Sequence, residues 1–274
     1  MVDKVPRYGV HEQLHSGTAV DAAVESIRLL GYAVVDGNYS AEQMQIFSGA
    51  FDKALVVSQE RHGGSGALAE IDEQNTIRAL LSIDRLFLDL ARNETILAIS
   101  RRLVGDYVVL GQQNGIINPP NAERYNQSAF HRDMPYQHFV SSRPLAINAL
   151  FCIDPFSVEN GATQVIPASH KSEAFPSDMI VNASKVSVSA KSGSFIVLDC
   201  MAFHCGGVNT TGARRRAVNH VYAVPILRQQ IELSSELGDG YSDDPDVRRF
   251  LGYDVRTPAN VSAFYDTRRG KKTS

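Results

Sequence analysis

Between Tyr107 and Pro225 the apolar residues come in short blocks separated by turn-forming residues, and this pattern restricts the fold more than any other feature of the chain. Tyr107-Val108-Val109-Leu110, Leu145 to Ile153, Ala162 to Pro167, Ser194 to Asp199 and Arg216 to Pro225 each read as a strand. Val186 and Val188 alternate with polar neighbours, as in a half-exposed strand. Asp154-Pro155 and Glu159-Asn160-Gly161 supply turn chemistry between them. Six or more short strands spaced in this way predict a double-sheet jelly roll.

The preceding hundred residues have a helical period. Val20, Ala23, Val24, Ile27 and Leu30 mark an amphipathic helix that Gly31 ends, and Tyr32 to Gly37 is a short β-rich run closing in a turn. Ser40-Ala41-Glu42-Gln43 is a capping box that opens a second helix, through about Val57. Residues 58–72 contain His62-Gly63-Gly64-Ser65-Gly66 with no Lys-Ser/Thr after the glycines, so they are read as a mobile loop and not as a phosphate cradle. From Ile77 to Val104 the pattern is helical again. We therefore expect a mainly β protein with flanking helices, one domain over residues 1–274, with a helical layer to about residue 105, a β core over about 106–226 and a C-terminal segment from about 227. In that last segment Asp244 to Gly252 reads as a short capped helix and Arg268 to Lys272 as a solvated end.

The chain has 274 residues and a formal charge of −3, which gives no general attraction to nucleic acid or to an anionic membrane surface. No apolar run is long enough to span a bilayer, and the start at Met1 lacks the apolar stretch of a signal peptide, so a cytoplasmic location is expected. Cys152, Cys200 and Cys205 are an odd number, poorly suited to a disulfide framework. Cys200 and Cys205 bracket His204 as a zinc site would, but no second pair stands at finger spacing. Buried thiols are expected.

The chemistry concentrates in two remote segments. In Phe130-His131-Arg132-Asp133, an extended backbone turns His131 and Asp133 to the same side, because strand side chains alternate with period two. Phe203-His204 offers a second histidine from a distant strand. Two imidazoles and one carboxylate on one face of a metal leave three positions open, the arrangement of non-heme Fe(II) oxygenases. Arg132 is expected to face outward. Gln112-Gln113-Asn114 places amides in a strand: parity selects Gln112 with Asn114, or else Gln113, as pocket-lining groups. Tyr136 and Gln137 follow the first segment at once, in a loop over the pocket mouth, and suit a polar small-molecule substrate. His138 reads as a surface or substrate-facing residue, and His170 as a turn stabiliser.

Taken in order, the helix, Gly31-Tyr32-Ala33-Val34-Val35, the second helix, His131-Arg132-Asp133, Glu159-Asn160-Gly161 running to Pro167-Ala168-Ser169-His170, and His204 with Asn209 and Arg215 resemble the phytanoyl-CoA dioxygenase family over roughly residues 20–255. The resemblance implies a distorted double-stranded β-helix, with Fe(II) on His131, Asp133 and His204, and with 2-oxoglutarate and O2 as co-substrates. It puts Arg215 where the family's arginine grips the far carboxylate of 2-oxoglutarate, a task for which a planar guanidinium is suited. Within Arg214-Arg215-Arg216, strand parity turns the two flanking residues away from the pocket. Asn148 and Thr163 are expected as second contacts to the same co-substrate. Where the family often has Pro-Gly-Ser-His, this chain has alanine at position 168. The presence of Asp133 favours hydroxylation over halogenation, since chlorinating relatives carry a small residue there; desaturation, epimerisation and cyclisation use the same oxidant. A monomer or homodimer is expected. The rival readings are a cupin-like metal-dependent isomerase or sugar-binding protein, which would not need Arg215, a zinc hydrolase on the same three ligands, and a non-catalytic interaction module.

Overall fold

A computed structural model describes residues 5–14, 16–122, 125–134 and 136–270; the start at Met1, Pro135 of the mouth loop and the Lys271-Lys272 end lie outside them. Two helices open the fold as their caps dictate. In α1 (Ala19–Leu30) the Thr18 side chain accepts from Asp21 N, and Gly31, at φ 86°, closes the C-terminus. In α2 (Ala41–Arg61) Ser40 and Gln43 form the reciprocal capping box. The stretch read as a mobile loop is different: α2 runs on to Arg61, and Gly64–Ala69 forms a further short helix, α3, whose Leu68 is buried. A buried leucine outweighs the poor helix propensity of the glycines around it. Two more helices, α4 (Leu86–Ala91) and α5 (Glu94–Leu103), complete the layer.

The strands are β1 (Tyr32–Asp36), β2 (Thr76–Arg78), β3 (Val109–Asn118), β4 (Ala146–Cys152), β5 (Thr163–Val165), β6 (Val186–Ser187), β7 (Ser194–Asp199), β8 (His204–Gly206) and β9 (Arg215–Ala223). Six form one antiparallel sheet in the order β1-β7-β4-β9-β3-β2, and three form a smaller sheet in the order β6-β5-β8. Both edges of the large sheet therefore come from the N-terminal hundred residues, which are not helical throughout.

Each central strand divides its residues between two environments. On β4, Ile147, Ala149 and Phe151 pack with Phe47, Phe51 and Ile96 of the helical layer, while Asn148 and Leu150 point to the other face. On β9, Val218 and Tyr222 join the helical core, and Arg215, Asn219 and Val221 face the opposite way. Burying the helix-side aromatics drives the layers together, at roughly 1.5–3 kcal/mol for each large apolar side chain. The polar inner face is what that packing holds in place.

The parity of the 112–114 amides turns on a bulge. Leu110 pairs with Tyr222 but Gln112 pairs with Val221, so one extra residue, at Gly111, shifts the register. Without it, Gln112 would share Leu110's face against the helices. With it, Gln112 and Asn114 look inward, and Gln113 turns to the helical side, where it donates to Phe87 O at 2.7 Å and accepts from Leu81 N at 2.8 Å.

Candidate metal centre

His131 and His204 form an isolated antiparallel bridge between the end of the 125–131 segment and β8. Two positions on, Asp133 N donates to Cys200 O at 3.0 Å, so the short His-x-Asp segment is pinned along its length. Facing residues of such a bridge put their side chains on one side, and the two imidazole centroids lie 4.5 Å apart. Both Nε2 atoms approach Asp133 Oδ1, at 3.9 Å from His131 and 3.6 Å from His204. One donor atom from each of the three residues falls within 4.8 Å of the others, a separation that can hold a metal ion.

The surroundings prepare those atoms. His131 Nδ1 donates to Ala129 O at 2.8 Å and His204 Nδ1 to Ala202 O at 3.0 Å, which leaves the Nε2 lone pairs facing the gap. Burial holds the His204 imidazole below its usual pKa, the neutral form that a ligand requires. Asn148 Nδ2 donates to Asp133 Oδ2 at 2.7 Å, and Oδ1 is left on the histidine side. Two nitrogens and one carboxylate oxygen, with no fourth His, Cys, Asp or Glu among the described residues in the cluster, fit a ferrous ion that keeps open positions.

Arg215 begins β9 and is 3 % exposed. Its guanidinium carbon stands 3.8 Å from the centre of the Phe156 ring, and Tyr125 faces it closely enough for a side-chain hydrogen bond. Its Nε has no partner, nor does Asn219 Oδ1 beside it. A buried cation with spare donors is a receptor for an anion. Arg215, Thr163, Asn148 and the three clustered residues line one cleft. The flanking arginines leave on the other face: Arg216 pairs with Asp154 and Asp52, and Arg214 with Asp52, each at 2.8 Å. Asn148, expected to meet the co-substrate, commits its amide nitrogen to Asp133, while its Oδ1 is buried without a partner.

The other expected residues divide. Gln112 and Gln137 line a second cavity, which also reaches Asp133. Asn114 bonds with Gln230 across that cavity's wall at 2.9 Å. Tyr136 is 64 % exposed, stacks on Phe139 and lines neither cavity. His138 sits beside it at the surface. His170 is buried away from the cluster, with Nε2 3.1 Å from Arg28 O. All three cysteines are buried and free, and burial pushes the Cys152 thiol up to about 12 and the Cys205 thiol up to about 11.

Arg132 overturns its expected outward orientation. It is 2 % exposed, its guanidinium lies over the Phe203 ring, and it donates to the carbonyls of Met201, Gln137, Ser169, Ser172 and Glu173. Outward from the metal cluster here means into the protein, because the 169–173 turn covers that side. Tyr125 and Phe156 had no signal in the sequence, since each meets Arg215 only through tertiary packing, whereas Asn219 lines the cleft by the same strand parity as Arg215.

The model of the family described as Phytanoyl-CoA dioxygenase (PhyH) matches residues 27–217. An uncharacterised protein of Mycobacterium tuberculosis is 29 % identical over 262 residues, 92 % of this chain and 94 % of its own. An iron/alpha-ketoglutarate-dependent dioxygenase of Penicillium thymicola is 33 % identical over 139 residues, 47 % of this chain and 42 % of its own. Among solved structures, EctD from S. alaskensis with 2-oxoglutarate and 5-hydroxyectoine matches with a TM-score of 0.62 at 21 % identity, covering 78 % of this chain and 80 % of that one. The alpha-ketoglutarate-dependent epimerase SnoN from nogalamycin biosynthesis matches with a TM-score of 0.59 at 18 % identity, covering 75 % and 83 %. These neighbours share the jelly-roll fold. The chain belongs to the phytanoyl-CoA dioxygenase family and is a dioxygenase dependent on Fe(II), 2-oxoglutarate and O2.

Proposed function

We propose that His131, Asp133 and His204 hold the ferrous ion, that Arg215 binds the distal carboxylate of 2-oxoglutarate, and that the enzyme hydroxylates a polar small molecule or natural-product intermediate, with release of succinate and CO2. The single observation that carries this reading is the convergence of both imidazole Nε2 atoms on Asp133 Oδ1 in the cleft that also holds Arg215. Bound iron, with the keto acid and dioxygen, supplies an oxidant strong enough to remove hydrogen from an unactivated carbon.

The chain's own residues position and shield that chemistry. The carbonyls of Ala129 and Ala202 fix the two imidazole rings, and Asn148 fixes the carboxylate, so the donor atoms need no rearrangement on binding. The buried Arg215, stacked on Phe156, offers its unpaired Nε to a carboxylate at the closed end of the cleft, with Thr163 on the facing sheet. Asp133 supports hydroxylation over halogenation, because its carboxylate would hold the metal where chlorinating relatives carry a small residue.

Anaerobic titration with Fe(II) and 2-oxoglutarate tests the reading: a visible charge-transfer absorbance should grow with both present and stay absent in Arg215→Ala at the same concentrations. Asp133→Ala should abolish succinate formation. Substantial succinate from that variant would remove Asp133 from the ligand set. Hydroxylation itself is read by incorporation of one atom of 18O2 into product.

A further inference from the structure

Past Asp133, on the same inner face of the large sheet, lies a second cavity of about 420 Å³. Its floor is apolar: Met134, Ala146, Val221 and Ala223 belong to one buried cluster, with Leu227 packed beside them. Small residues at Gly111, Ala146 and Ala223 open it, where longer side chains on adjoining strands would fill it. The rim is polar, and its groups differ in how much capacity they have left. Gln229 donates to Leu110 O and Leu251 O and accepts from Leu233 N, so it serves the fold. Gln230 is engaged by Arg78 and Asn114. The side chains of Gln112 and Arg228, by contrast, have no hydrogen-bond or ion-pair partner among the described residues. Gln137 offers only Oε1, to Arg132 N at 3.4 Å, and its amide nitrogen stays available.

We propose that this cavity receives the primary substrate, and that the substrate has a compact apolar body with one anionic group. The body lies on Ala146, Val221 and Ala223. The anion meets Arg228 at the mouth, and a carbonyl or hydroxyl meets Gln112. This proposal rests on the reading of the metal centre above, because only there does a ligand touching Asp133 lie next to the reacting atoms. The bulge at Gly111 is what gives the cavity its amide, since it turns Gln112 inward. A sugar would set hydroxyls against the apolar floor at a desolvation cost.

Two dyes that share one aromatic skeleton test the chemistry: 8-anilinonaphthalene-1-sulfonate carries an anion, and N-phenyl-1-naphthylamine does not. Their fluorescence is titrated anaerobically on the full chain with Fe(II) and 2-oxoglutarate, and again with neither. Ala146→Phe, which fills the floor, should weaken both dyes at least tenfold. Where that variant does not fold by circular dichroism, Leu227→Asp at the partly exposed wall takes its place. Arg228→Gln should weaken the sulfonate about tenfold, the worth of one charge-assisted hydrogen bond, and leave the neutral dye within about twofold. If the floor variant leaves both dyes unchanged, or Arg228→Gln affects both alike or neither, the proposal is wrong. Dye binding as expected with no succinate formed would instead sink the proposed reaction and leave the cavity's chemistry standing. Succinate formation with dyes indifferent to both variants would do the reverse.

Discussion

Asn148 Nδ2 lies 2.7 Å from Asp133 Oδ2, and this contact sets which carboxylate oxygen turns toward the two histidines. Asn148 sits on β4, in the middle of the large sheet, so its position is held by two neighbouring strands. Partners of this kind typically contribute ten- to a hundredfold to metal affinity. Asn148→Leu should therefore weaken Fe(II) binding by about tenfold or more in anaerobic titration while the fold persists by circular dichroism. An unchanged affinity would mean that Asp133 is oriented by its backbone alone.

Arg215 is a case where charge is not enough. A lysine would keep the positive charge but lose the planar fork and the stacking on Phe156. We expect Arg215→Lys to raise the KM for 2-oxoglutarate about tenfold or more, with a smaller effect on kcat, as read by succinate formation. Arg214→Lys, on the outer face, should leave both values near those of the parent.

Ala168 stands in the left-handed region, at φ 60°, where its backbone N–H donates to Leu30 O at 2.7 Å. That conformation suits glycine, the residue often found there in the family. Ala168→Gly should stabilise the protein by up to about 1 kcal/mol, and a β-branched valine should destabilise it by about as much or more. Urea unfolding of the three chains decides the sign.

His220 faces the helical layer, fully buried, with Nδ1 3.1 Å from Ala149 O and Nε2 unpaired. Burial lowers its pKa from 6.5 to about 4. As pH falls, the unfolded chain takes up this proton first, so the stability tied to neutral His220 is complete above about pH 6.5 and is lost on the way down to about pH 4. The gap corresponds to about 3 kcal/mol at most. Unfolding at pH 7.5 and at pH 4.5 should show the parent losing about 2 kcal/mol more than His220→Leu, and parallel pH profiles would refute the assignment.

The jelly roll and the convergence of His131, Asp133 and His204 were legible because both rest on period and order. Short apolar blocks reveal strands, and His131 and Asp133 two apart share a face in any extended backbone. Arg215 was separated from Arg214 and Arg216 by parity once its strand was known. The Gln112 and Gln113 pair was not separable in this way, since a single extra residue at Gly111 reverses the parity and a glycine in a strand does not announce which way it will act. Arg132 failed for a related reason. Alternation put it on the side opposite His131 and Asp133, but nothing local says whether that side faces water or, as found, the 169–173 turn. Tyr125 and Phe156 around Arg215 are tertiary neighbours with no sequence pattern to mark them.

That turn is tied to the rest of the molecule in an unusual manner. Arg132 gathers carbonyls from residues 137, 169, 172, 173 and 201 onto one guanidinium, between His131 and Asp133 of the same short segment. The irregular wall behind the cluster of His131, Asp133 and His204 is thus assembled on a side chain and not on a ladder of strands. Sequence drift in that wall, a lengthened turn or a displaced carbonyl, will be transmitted directly to the spacing of His131 and Asp133. Surface variation there, remote from the cleft, is consequently a route by which evolution can shift His131 and Asp133 without replacing either.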